Sequence, residues 1–111
     1  MPMNETYATV EPNRAEIDAL AGAVLVEFGD PWCGHCRAAQ PLIAAALDAH
    51  PAVHHVKIAD GAGRPLGRSF HVKLWPTLIF MSGGQETSRL VRPAAVDEIS
   101  VALARIDPAR R

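Results

Sequence analysis

Two cysteines stand three positions apart in Trp32-Cys33-Gly34-His35-Cys36, and the 111-residue chain has no others. At the start of a helix that spacing puts both sulfurs on one side of the first turn, close enough to bond without distorting the backbone. The helix start adds unpaired N–H groups and the positive end of a dipole, which favour a negative sulfur on Cys33. Lowering a thiol pKa from ~8.5 to ~7 raises its ionised fraction at neutral pH from a few per cent to about half. These residue types point to reversible thiol–disulfide exchange, with the redox-active disulfide as the reacting group and no separate cofactor. Cys33, first in the turn, attacks a substrate disulfide as the thiolate. Cys36, deeper against the helix, then attacks Cys33 and releases the reduced substrate. His35 stands between them and can stabilise the Cys33 thiolate by charge or hydrogen bonding, which favours the reduced form and raises the reduction potential. Each ~30 mV of potential is about 1.4 kcal/mol for such a two-electron couple.

Other uses of a cysteine pair fit less well. A zinc site needs four ligands, and the chain offers one Cys-x-x-Cys with no second pair. His50, His54, His55 and His71 form no ligand motif, so no metal is expected. Covalent haem attachment needs a histidine directly after the second cysteine, where Arg37 stands. A two-residue loop makes a poor staple, because closing it removes little unfolded-chain entropy. Eleven basic against twelve acidic side chains leave a formal charge of -1, so nucleic acid is not an indicated partner. No stretch approaches the ~18 uninterrupted apolar residues of a membrane helix, and Met1-Pro2-Met3-Asn4-Glu5-Thr6 lacks the basic start and apolar run of a signal peptide. A cytoplasmic location is the expectation, and there a lone pair of cysteines is more often catalytic or metal-binding than structural.

The elements that must hold the dithiol are legible in outline. Hydrophobic residues at 49% and charged residues at 21% suit one soluble domain over 1–111, expected as a monomer, with its core at about 24–106 and a loose tail from Asp107 to Arg111. Asn13 is a plausible cap for a short helix from Arg14 to about Ala21, ended by Gly22. Val24-Leu25-Val26-Glu27-Phe28 has the pattern of a strand covered on both faces. After Gly29-Asp30-Pro31 a helix runs from Cys33 to about Ala49, with Leu42, Ile43, Ala46 and Leu47 at helical spacing and Pro41 expected to kink it. Val53 to Ile58 reads as a second strand and Arg64 to about Phe70 as a short helix. Thr77 to Met81 is another buried strand, and Gly83-Gly84 turns the chain into an antiparallel edge strand from Thr87 to Val91. The last helix is placed from Pro93, with Ile99, Leu103 and Ile106 as its apolar stripe. Alternating strands and helices followed by a hairpin predict an α/β fold: a central mixed sheet with helices on both faces.

Val26-Glu27-Phe28, then Trp32-Cys33-Gly34-His35-Cys36, Pro41, Trp75-Pro76-Thr77 and Gly83-Gly84 together resemble the thioredoxin superfamily, in its order, over roughly Val24 to Ile106. The Trp-Cys-Gly-His-Cys motif is similar to the catalytic domains of protein disulfide isomerases. The single-domain length looks more like a bacterial thioredoxin. The resemblance implies the thioredoxin fold and assigns roles by position. Pro76 matches the family's cis-proline opposite the two sulfurs, and the backbone at Trp75 would pair with an extended substrate peptide. Trp32, Gly34 and Arg92 complete the implied substrate-binding face. Glu27 matches the buried acid beneath the dithiol, which takes the proton from Cys36 during resolution. Lys57 falls where family members pair a basic residue with that acid.

Three positions depart from the family's pattern. Gly29 stands where its members carry an aromatic residue packed under the active site. Trp75 replaces a smaller β-branched residue, and its indole is a candidate to fill the space left at Gly29. Arg92 takes the place of a glycine that lets substrate approach closely. Trp75 and Arg92 would crowd or recharge the docking groove, which bears on substrate range more than on redox chemistry. The leading expectation is a thiol–disulfide oxidoreductase that reduces protein disulfides and is recharged by a reductase such as thioredoxin reductase. An assembly factor or chaperone that binds one partner is the alternative from a different class. An oxidase or isomerase keeps the chemistry and reverses its direction.

Overall fold

A computed structural model of the protein describes residues 3–110. Its elements are α1 (Arg14–Asp18), β1 (Ala23–Gly29), α2 (Gly34–Asp48), β2 (His54–Ala59), α3 (Pro65–Ser69), β3 (Thr77–Ser82), β4 (Gln85–Val91) and α4 (Val96–Ile106). Asn13 caps α1 as its sequence suggests. Its side chain accepts from the Glu16 N–H at 2.8 Å, and the Glu16 carboxylate accepts from the Asn13 N–H at 2.9 Å, a reciprocal box that satisfies two of the helix's free donors. The helix stops at Asp18, short of Ala21, because the chain tightens there: the Leu20 N–H bonds back to the Ile17 carbonyl, three residues behind.

α2 runs from Gly34 through Pro41 to Asp48, close to the expected span. One further boundary differs from expectation. α4 begins at Val96 and not at Pro93. The reason is local: the Glu98 carboxylate turns back to accept from the Ala94 and Ala95 N–H groups at 2.9 and 3.1 Å, which sets the first turn beyond the buried proline.

The strands form one sheet in the order β2-β1-β3-β4. β1 pairs parallel with β2 and antiparallel with β3, and β3 pairs antiparallel with β4, giving the expected mixed sheet. Gly83 and Gly84 turn between β3 and β4 with φ of 56° and 82°, the mirror-image turn that matches the strands' twist and that residues with a Cβ adopt only at a cost. All seven residues of β1 are buried, so it runs through the middle of the molecule. Alternate residues face opposite layers. Leu25 packs with Ile43 and Leu47 of α2 and with Ile99 and Leu103 of α4. Val24, Val26 and Phe28 pack with Ile17, Leu66 and Phe70 on the other face. Each such side chain contributes ~1.5–3 kcal/mol by leaving water, so the strand that carries the dithiol loop is firmly held. Glu27 shares the parity of Leu25 and is therefore aimed at the α2 layer.

The loose tail expected from Asp107 does not begin there. Asp107 is buried, its carboxylate lies 2.5 Å from His50 Nδ1, and Pro108–Arg110 follow as a short 3-10 turn. Buried His50, just beyond α2, thus holds Asp107 where composition alone suggests freedom.

Candidate active site

Between β1 and α2 the chain turns on Asp30. Its carbonyl accepts from the Cys33 N–H at 3.1 Å and its carboxylate from the Trp32 N–H at 2.8 Å. The turn delivers Cys33 as the N-cap of α2, in extended backbone geometry, with its Sγ accepting from the Cys36 N–H at 3.4 Å. A sulfur thus takes the place that a Ser or Asp oxygen fills at an ordinary helix start, facing the amide donors and the positive dipole end. Both thiols are free, and they are unequal. Burial pushes the Cys33 thiol up, but a hydrogen bond from the Cys36 thiol, the N–H groups of Cys36 and His35, and the Arg92 charge together bring it below the ordinary value. Burial dominates at Cys36, which is 1% exposed. With the hydrogen bond to Cys33 and the charges of Cys33 and Glu27 it is pushed up to about 12, against a hydrogen bond from the Asp30 backbone. One sulfur is poised to be an anion and the other to keep its proton.

Beneath the dithiol lies a buried polar chain that the sequence reading only partly anticipates. Glu27 is fully buried. One carboxylate oxygen accepts from Gln40 Nε2 at 2.8 Å, and the other meets His55 Nε2 at 2.8 Å. Gln40 Nε2 also donates to the Cys36 carbonyl at 3.0 Å, and its Oε1 accepts from Lys57 Nζ at 2.8 Å. Glu27 and Lys57 are register partners on β1 and β2, yet no direct ion pair joins them. The expected pairing is relayed through Gln40, because Lys57 bends instead toward that amide and the Glu5 carbonyl at 3.1 Å. Glu27's direct partner on β2 is His55, a residue the sequence reading treats only as a possible zinc ligand.

The space beside Gly29 is filled by Tyr7 and not by Trp75. A Cβ at Gly29 would lie 2.8 Å from Cys36 Sγ and 3.1 Å from Tyr7 Oη. The glycine is therefore required by the close approach of the thiol and of a phenol carried in from the N-terminal segment. Lys57 Nζ sits 4.6 Å above the Tyr7 ring, and burial together with the negative charges of the site raises the phenol's pKa. The segment is tied down along β2: the Asn4 N–H donates to His55 Nδ1 at 2.8 Å, the Asn4 side-chain amide donates to the His55 carbonyl, and the Ala8 N–H donates to the Lys57 carbonyl at 2.8 Å. Between this segment and α2 opens a cavity of about 640 Å³, bordered by Tyr7, Cys36, Gln40 and Lys57.

Trp75 is held elsewhere, its Nε1 donating to the Asp60 carboxylate at 2.8 Å. The Trp75-Pro76 peptide is cis and Pro76 is buried. Arg92 adopts φ of 51°, the left-handed conformation natural to glycine. Its Nε donates to the Trp75 carbonyl at 2.8 Å and its own N–H to the Pro76 carbonyl at 3.0 Å. Trp32 is 84% exposed, and Gly34 and His35 are exposed beside it. His35 acts on Cys33 through its backbone N–H; no hydrogen bond of its imidazole occurs among the described residues. Gln40, His55 and Tyr7 are the neighbours that sequence reasoning missed. Gln40 follows Cys36 by one helical turn and His55 precedes Lys57 by one strand period, both findable from spacing. Nothing local marks Tyr7.

A thioredoxin family model matches residues 6–105. The chain belongs to the thioredoxin family. Among solved structures, thioredoxin 2 from Pseudomonas aeruginosa PAO1 in its reduced form is 48% identical, with a TM-score of 0.85, and the match covers 96% of this chain and 99% of that one. Thioredoxin-2 of Pyricularia oryzae is 35% identical over 68 residues, covering 61% of this chain and 40% of the relative. Human protein disulfide-isomerase A2 is 45% identical over 69 residues, covering 59% of this chain and 13% of the relative. This thioredoxin-family chain thus spans less than half the length of those two curated relatives. No helix among its described residues is long and apolar enough to cross a membrane.

Proposed function

We propose that this chain exchanges thiols with disulfide-bearing proteins through Cys33 and Cys36, chiefly as a protein-disulfide reductase. The inequality of the two thiols carries the reading: one lies low at the mouth of a helix, the other is buried and pushed up to about 12. The Cys33 thiolate attacks one sulfur of the substrate disulfide, and the electron pair of the broken bond leaves on the other as a thiolate. Cys36 gives its proton to the Glu27 carboxylate and attacks Cys33. The Cys33–Cys36 disulfide forms, and the second substrate sulfur leaves with the electron pair. Two electrons from a reductase such as thioredoxin reductase restore the dithiol, which suits a reducing compartment such as the cytoplasm.

In this reading Trp32, Gly34 and Pro76 form the face that meets the substrate, with the Trp75 backbone as its strand-pairing edge. Arg92 already donates to the Trp75 carbonyl at 2.8 Å, so a substrate strand must share or displace that contact, and this supports a narrowed clientele. Lys57 acts on Glu27 through Gln40. A second reading, oxidase or isomerase, is supported by the Cys-Gly-His-Cys motif and the similarity to protein disulfide-isomerase A2. Insulin disulfide reduction by wild type and Cys33→Ser, with the potential fixed against glutathione, tests both. Activity lost in Cys33→Ser at a reducing potential supports the first reading, and an oxidising potential the second. Activity that survives loss of Cys33 refutes both.

A further inference from the structure

His55 has a fixed role in the arrangement around Glu27. The Asn4 N–H is only a donor, so the His55 Nδ1 that receives it at 2.8 Å must be an acceptor without a proton. The imidazole proton of the neutral ring then sits on Nε2, and it points at the Glu27 carboxylate 2.8 Å away. Gln40 is fixed by the same logic. Lys57 is only a donor, so the amide oxygen faces Lys57 and the amide nitrogen faces Glu27. Both Glu27 oxygens therefore receive hydrogen bonds, one from β2 and one from α2, on a side chain with no exposure to water. A buried carboxylate without donors keeps its own proton, and donors to its charged form restore its capacity to accept one.

We propose that His55 is a positioning residue for the resolving half of the reaction, holding the Glu27 carboxylate oriented as acceptor for the Cys36 proton. The proposal rests on the dithiol reading above and extends it to a residue that does not touch the reacting sulfurs. The step balances: the proton leaves Cys36 for Glu27, the Cys36 sulfur bonds to Cys33, and the bond between Cys33 and the substrate breaks with its electrons on the departing thiolate. The titratable groups around Glu27 are His55 and Lys57 from β2, Cys36 from α2 and Tyr7 from the N-terminal segment. Of these, His55 alone donates to the carboxylate directly.

The two ring nitrogens allow a separating test. Glutamine places an amide nitrogen near the position of Nε2, so His55→Gln keeps a donor toward Glu27 and gives up the Asn4 contact. Asparagine reaches only as far as Nδ1, so His55→Asn keeps an acceptor for Asn4 and gives up Glu27. Stopped-flow reaction of the reduced protein with an aromatic disulfide, 5,5′-dithiobis(2-nitrobenzoate), releases one coloured thiolate when Cys33 attacks and a second when Cys36 resolves. The expected result for His55→Asn is a second phase slowed about tenfold, the loss of one hydrogen bond to a charged group, with its pH profile displaced to higher pH and the first phase unchanged. His55→Gln should stay within about twofold in both phases. Equal behaviour of the two variants, or slowing of both phases together, overturns the role of His55. A second phase indifferent to Glu27→Gln overturns it as well. Absence of any first phase in wild type overturns the dithiol reading itself, a different outcome from the others.

Discussion

Cys36→Ala removes one named contribution to the low pKa of Cys33 and leaves the others in place. In the native site the Cys36 thiol donates a hydrogen bond to the Cys33 sulfur, alongside the N–H groups of Cys36 and His35 and the charge of Arg92. The two N–H groups belong to the main chain and survive the substitution. Cys36 is neutral near pH 7, since it is pushed up to about 12, so its removal changes no charge there. A hydrogen bond to a charged group is worth ~1.5–3 kcal/mol, and Cys33 is partly exposed, which selects the lower end. That is about one pKa unit, so the ionised fraction of Cys33 near neutral pH should fall up to about tenfold. Cys36→Ser keeps a hydroxyl donor and should lose less than half of that. The assay is the iodoacetamide alkylation rate of Cys33 from about pH 5 to 10, read by mass spectrometry, with thiolate absorbance at 240 nm as a second readout. A Cys36→Ala protein whose Cys33 titrates at or below the wild-type pH refutes the assignment of that hydrogen bond.

Three other outcomes follow from the same geometry. Cys36 binds its proton more tightly in the folded state than in the unfolded one, about 12 against 9.0. Its stability contribution is present below pH 9 and is lost as pH rises from there toward 12, by about 1.4 kcal/mol per unit; Cys36→Ala should show a shallower alkaline loss in denaturant melts of the reduced protein. Gly29→Ala puts a Cβ 2.8 Å from Cys36 Sγ and 3.1 Å from Tyr7 Oη, and urea unfolding should show ~1–3 kcal/mol of destabilisation from the forced shift. Arg92→Gly relieves a left-handed conformation that costs ~1–2 kcal/mol in residues with a Cβ and frees the Trp75 carbonyl. Its Tm should rise and its KM for insulin fall, while Cys33 titrates at higher pH because a cation has gone.

Features encoded by short-range pattern were legible in the sequence, and those made by distant segments were not. The spacing of Cys33 and Cys36, the cap at Asn13 and the turn at Gly83 and Gly84 each depend on a few adjacent residues, and each reappears in the structure. The resemblance pairs Lys57 with Glu27, and the two are register partners on β1 and β2. The true contact of Lys57 is Gln40, because a long flexible side chain chooses among neighbours in ways register does not determine. Tyr7 fills the site from a segment without secondary structure, and no periodicity announces such a segment. Asp107 looked like the start of a frayed end because its burial depends on His50, far away in sequence.

The central claim is that Cys33 attacks and Cys36 resolves, and trapping measures this division most directly. Cys36→Ser incubated with a disulfide-bearing protein should accumulate a stable mixed disulfide at Cys33, identified by peptide mass, while Cys33→Ser accumulates none at Cys36. Equal trapping through Cys36, or trapping by neither variant, contradicts the unequal roles that the helix start and the buried thiol assign.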